Sequence, residues 1–214
     1  MHRFLPWFLV CSSLFAADPK PDSKQPRYTV KEVVPSTSPL SKKVIFIVDI
    51  SGSMGQDDNL SRAFRFFTTT ANAPVDAFDM QVFAMGSSCY HFSKDWVKMP
   101  DEEEVKKCLA WLKTFDGRQS TNAVDCFKEA LRVKEKSISI VIISDGLFDN
   151  IESTAKTVLD EQTRRTKEYG RALIACFGVG ENAEKSSSLI DLGRTWGGGF
   201  YAEVRVDEKK DLKK

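Results

Sequence analysis

From Ser41 onward, apolar runs of strand length alternate with amphipathic stretches of helical period. KVIFIVD precedes NLSRAFRFFTTTA; FDMQVFAM and CYHFS precede EEEVKKCLAWLKTF and NAVDCFKEALRV; SISIVIISD precedes ESTAKTVLDEQTRRTKEY. RALIACFGVG, a shorter helix around residues 186–194 and GGFYAEVRV complete the series. VIFIV and IVII are apolar at successive rather than alternate positions, which is the pattern of parallel strands covered on both faces. The alternation therefore predicts an α/β fold with a doubly wound, mostly parallel sheet and helices on each side. Phe64, Phe66, Phe67 and Trp111 lie in helical context and are expected in the core.

The chain outside this pattern divides further. Residues 1–17 place one Arg before a mostly apolar run and then turn polar, the layout of a signal peptide, so export to the periplasm or exterior is expected. The run falls short of the roughly 20 apolar residues a membrane span needs, and no later run approaches that length. Residues 18–40 hold five of the eight prolines among Lys, Ser and Asp and read as an extended linker. The folded domain is expected over 41–206, with 207–214 a charged tail.

Composition narrows the function. Hydrophobic residues make up 42% and charged residues 29% of the 214, and 31 Lys and Arg against 30 Asp and Glu leave a net charge of +1. This is the balance of a globular chain with no bulk attraction to nucleic acid or an anionic membrane, so any partner is chosen locally. Beyond the signal, Cys89, Cys108, Cys126 and Cys176 could form two disulfides in an oxidising compartment. Burial as thiols is the preferred reading, because Cys108 shares a helical face with Val105 and Leu112 and Cys176 sits in an apolar strand. With no CxxC and His91 the only histidine after the signal, the sequence shows no Cys/His cluster, and a zinc site is disfavoured.

In an open α/β sheet, ligands bind beyond the carboxyl ends of the strands, where strand order reverses. Three such places carry oxygen donors. Asp49-Ile50-Ser51-Gly52-Ser53 follows KVIFIV, with a carboxylate and two hydroxyls at alternate positions and a glycine to let the backbone bend. Asp145-Gly146 follows SISIVIIS, and Ser120-Thr121-Asn122 opens the helix NAVDCFKEALRV. Singly, each is an ordinary turn or cap. Together they are a hard donor set without imidazole or thiolate, suited to Mg²⁺, Mn²⁺ or Ca²⁺.

Asp-x-Ser-x-Ser after the first strand, a Thr before a middle helix and Asp-Gly after the fourth major strand, in that order, resemble the von Willebrand factor type A domain with its metal-ion-dependent adhesion site. The resemblance covers residues 41–206. It implies a Rossmann-like sheet with one short antiparallel edge strand, and a metal held by Asp49, Ser51, Ser53, Thr121 and Asp145. In the family, the hydroxyls matching Ser51 and Ser53 bind the ion directly. The residue matching Thr121 does so when ligand is present, and the carboxylates matching Asp49 and Asp145 act largely through waters. The family's common Gly-Gly-Thr is Gln119-Ser120-Thr121 here, which leaves Ser120 as a substitute for Thr121. The implied function is an exported protein-binding module without catalysis, in which a partner's Asp or Glu carboxylate completes the coordination. Two alternatives stand beside it: a type A scaffold whose metal is structural or absent, and an Mg²⁺-dependent phosphohydrolase using Asp49. The second lacks the further Asp that such enzymes place where Ser51 stands.

Overall fold

The computed structural model describes residues 28–72, 77–181 and 183–205. The signal peptide, the first part of the linker and the charged tail lie outside the described residues. The elements are β1 (Tyr28–Val34), β2 (Lys43–Asp49), α1 (Asn59–Ala71), β3 (Phe78–Met85), β4 (Cys89–His91), β5 (Val97–Met99), α2 (Glu102–Leu112), α3 (Ala123–Leu131), β6 (Ile138–Ser144), α4 (Ile151–Glu168), β7 (Leu173–Gly178), α5 (Ser187–Trp196) and β8 (Gly197–Arg205).

One eight-stranded sheet runs β1-β8-β7-β6-β2-β3-β4, with β5 also on β3. Its centre, β8-β7-β6-β2-β3, is parallel throughout. Successive residues of β2 go to opposite sides, so Val44, Phe46 and Val48 join the core under α1 and α2, while Ile45 and Ile47 join the core under α3, α4 and α5. This is the physical reason the run is apolar at every position. Phe66 of α1 stacks on Phe177 of β7 with ring centroids 3.4 Å apart, and Phe67 meets Phe46 edge-on at 5.3 Å. The helical phenylalanines are core residues, as their context predicts.

Two expectations need correction. Antiparallel pairing is not confined to one edge strand: β4 and β5 both pair antiparallel with β3, and β1 pairs antiparallel with β8. The linker reading also fails over Tyr28–Val34, which form β1. YTVKEVV lies between Pro26 and Pro35 and contains no proline itself, so every residue keeps the N–H that a ladder needs. Its half-exposed, charge-bearing pattern is that of an edge strand and hides it among polar neighbours. No helix among the described residues is long and apolar enough to cross a membrane.

Candidate metal site

Strand order reverses at β2, which has β6 on one side and β3 on the other. Register places Val48 opposite Ile143, so the chain leaves β2 at Asp49 beside Ser144 and Asp145 at the end of β6. The predicted loops thus meet at the carboxyl edge of the sheet.

Asp49 is fully buried, and both its oxygens are engaged. Oδ1 accepts the Ser51 backbone N–H at 2.9 Å and Oδ2 accepts the Ser144 hydroxyl at 2.6 Å. That first bond turns the chain so that the Ser51 and Ser53 hydroxyl oxygens lie 3.2 Å apart. Gly52 does not provide the bend as expected, since its φ of −61° and ψ of −34° are open to any residue. The glycine requirement falls elsewhere. A Cβ on Gly55 would lie 2.7 Å from the Gly117 carbonyl oxygen, and Gly117 itself has a φ of +65°. Only two glycines let these loops approach so closely.

The same approach ties in the middle segment. Ser51 pairs with Gln119 as an isolated parallel bridge, and the Gly52 N–H donates to the Gln119 carbonyl at 2.7 Å. Thr121, two residues on, is buried, whereas Ser120 is exposed. The Thr121 N–H donates to Asp149 Oδ2 at 2.8 Å, and Asn122 caps α3 by accepting the Asp125 N–H. Asp145 follows β6 and accepts the Leu147 N–H at 3.0 Å, while Gly146 has a φ of +80°. The structure therefore brings Asp49, Ser51, Ser53 and Asp145 to one edge and anchors Thr121 beside them through Gln119 and Asp149.

Burial is the main force on Asp49 and pushes its carboxyl up to about 6. Hydrogen bonds from Ser144 and Ser51 work the other way, and the nearby charge of Asp145 raises it further. None of the groups acting on it is a cation. A buried carboxylate with a second carboxylate as neighbour gains from a positive ion placed between them and solvent, so the donor set fits a hard divalent cation. With each Asp49 oxygen already accepting one hydrogen bond, the Ser51 and Ser53 hydroxyls and the Asp145 carboxylate are the freer donors to face such an ion.

Sequence reasoning named Gln119 only as part of the altered Gly-Gly-Thr, with no role of its own, and missed Ser144 and Asp149. Asp149 precedes the α4 cap Asn150 and reads locally as part of that cap; only the fold brings it to Thr121. An open groove of about 500 Å³ runs from the site and includes Ser53, Asp57, Asp145, Leu147, Ile151 and Lys185 in its lining. Leu147 and Ile151 are exposed large apolar residues on its wall.

The four described cysteines are free, with Cys108, Cys126 and Cys176 buried and Cys89 half-buried. The absence of a Cys/His cluster inferred from sequence is overturned. Cys89, His91 and Glu129 bring a sulfur, a ring nitrogen and a carboxylate oxygen to within 4.8 Å of one another. Cys89 and His91 alternate along β4 and so share a face, and α3 lays Glu129 over them.

No protein-family model matches the chain, and no curated protein matches it. Solved structures do. A von Willebrand factor type A protein from Catenulispora acidiphila superposes with a TM-score of 0.55 at 12% identity over 83% of this chain and 50% of that one. An aerotolerance-related membrane protein from Bacteroides fragilis gives 0.54 at 15% identity, over 79% of this chain and 94% of that one. BatB from Bacteroides thetaiotaomicron gives 0.50 at 14% identity, over 79% and 92%. The chain thus has a von Willebrand factor type A-like fold.

Proposed function

We propose that this chain is an exported, divalent-cation-dependent protein-binding module that performs no catalysis of its own. The observation that carries the reading is the meeting of Asp49, Ser51, Ser53 and Asp145 at the strand-order reversal, with Thr121 anchored alongside. Ser51, Ser53 and Thr121 would hold Mg²⁺, or Mn²⁺ or Ca²⁺ in its place, with Asp49 and Asp145 supplying negative charge behind them. Bound there, the ion supplies an under-neutralised positive charge that attracts a partner's Asp or Glu carboxylate. Asp49 fixes the loop by accepting from Ser51 and Ser144, so the hydroxyls are positioned before any ligand arrives. Leu147 and Ile151 favour a partner whose acidic residue is flanked by apolar side chains, since both present exposed surface beside the groove.

The test combines stability and capture. Mg²⁺ or Mn²⁺ is expected to raise the thermal midpoint of the wild type and to leave that of Asp49→Ala unmoved. Capture of a partner from native extract is expected to disappear with chelator. An equal thermal response in both proteins ends the metal-site reading, and chelator-insensitive capture turns the protein into a scaffold. Turnover of phosphate esters would make it an enzyme.

A further inference from the structure

The second cluster shares no residue with that site and does not depend on the reading above; it lies on the β4 edge of the sheet, where the register sets Cys89 two strands from Asp49 through Met85. Its donors come from two elements at the spacings each element needs. Cys89 and His91 are two apart on β4, opposite Met85 and Phe83 of β3. Cys126 and Glu129 are three apart on α3 and so rise from one face of that helix. His91 Nε2 meets Glu129 Oε2 at 2.5 Å, and the Phe83 ring stacks on the imidazole with centroids 4.0 Å apart, which fixes the ring plane. The Cys126 S–H donates to the Ala84 carbonyl at 3.8 Å, which ties α3 to β3 next to the cluster. The His91 and Glu129 side chains are 31% and 47% exposed, which leaves a path for a hydrated ion.

We propose that Cys89, His91 and Glu129 bind a thiolate-seeking divalent transition metal of the zinc class, with the fourth position open to water or a partner's donor. The chemistry differs from that of the loop site: one thiolate and one imidazole select a borderline-soft ion over Mg²⁺ or Ca²⁺. A tetrahedral ion about 2.0–2.3 Å from each donor sets the donors roughly 3.3–3.8 Å apart. The present set spans up to 4.8 Å, with His91 and Glu129 at 2.5 Å, so modest side-chain rotations suffice. On binding, the Cys89 S–H bond breaks, its proton leaves to solvent and the sulfur lone pair binds the metal; a neutral His91 gives its Nε2 proton to solvent and takes one back on Nδ1, so Nε2 and a Glu129 oxygen turn lone pairs to the ion and one proton is released in all. No redox change is involved. The bound ion would staple the short edge strand β4 to α3.

Co²⁺ added to the reduced full chain is the direct probe, because a thiolate ligand produces a sulfur-to-cobalt charge-transfer band. Saturation of the band at one equivalent is expected in the wild type with excess Mg²⁺ present to occupy the loop site, with Zn²⁺ displacing the cobalt and bleaching the band. Cys89→Ser should abolish the band. His91→Gln and Glu129→Gln should weaken binding by at least about a hundredfold, as loss of a direct ligand exceeds the effect of losing an outer partner. All three variants carry their change at partly exposed positions, and their thermal midpoints without metal verify folding. No band in the reduced wild type, a band unaffected by His91→Gln and Glu129→Gln, or a Cys89–Cys126 disulfide in the protein as isolated would each overturn the proposal.

Discussion

Asp49 has the most consequential environment of any single side chain. Its folded carboxyl titrates at about 6, above the ordinary value of 3.8, so the folded state holds the proton more tightly than the unfolded one. Between those values protonation favours folding, and the stability of metal-free protein falls as pH rises through about 6. In chelator, Asp49→Asn should therefore be more stable than wild type near neutral pH by up to about 3 kcal/mol, with the difference closing as pH drops toward 4. Urea unfolding of both proteins across that range measures it, and parallel pH profiles would refute it. That Asp49, Ser51, Ser53 and Asp145 follow strand ends was legible in the chain, whereas reading them with Thr121 as one site rested on the family resemblance. Asp149 was not, because its partner is the Thr121 backbone 28 residues away and nothing in the local sequence distinguishes it from a capping residue.

Among the elements, α3 and α4 depend on one fully buried arginine. Arg165 of α4 donates to the carbonyls of Leu131, Val133 and Glu135, which end α3 and lead toward β6. A cation is well placed there, since the carboxyl end of a helix carries partial negative charge and unpaired carbonyls. Arg165→Met keeps the length of the side chain but strands those acceptors, and is expected to lower stability by roughly 3 kcal/mol. Chemical denaturation would detect this, and a loss well under 1 kcal/mol would assign the arginine no such role. The helices and central strands were predictable because period 3.6 and continuous apolar runs are local signals. The three-residue strand β4 falls within the strand-like CYHFS, but β5 is harder, being defined by pairing with β3 more than by composition.

For the whole molecule, β1 is the addition that changes the most. It covers the outer edge of β8, and its Tyr28 ring lies over the Arg62 guanidinium at 4.3 Å. Arg62 in turn pairs at 3.1 Å with Glu203 of β8, an ion pair almost wholly removed from solvent. Removing residues 1–34 would uncover a strand edge and hydrate that pair, so the shortened chain should melt earlier and associate through β8. Calorimetry and gel filtration read both effects, and an unchanged midpoint with a monomeric profile would contradict them. Alternation of apolar strands and amphipathic helices was enough to specify the α/β class, the core faces and the hard-donor loops, since each rests on residues close in the chain. Edge pairing by a proline-flanked segment, the Gln119 and Asp149 anchors, and the union of Cys89 and His91 with Glu129 all join residues distant in sequence. Such contacts exist only once the sheet has fixed which strand ends, helix faces and edges become neighbours.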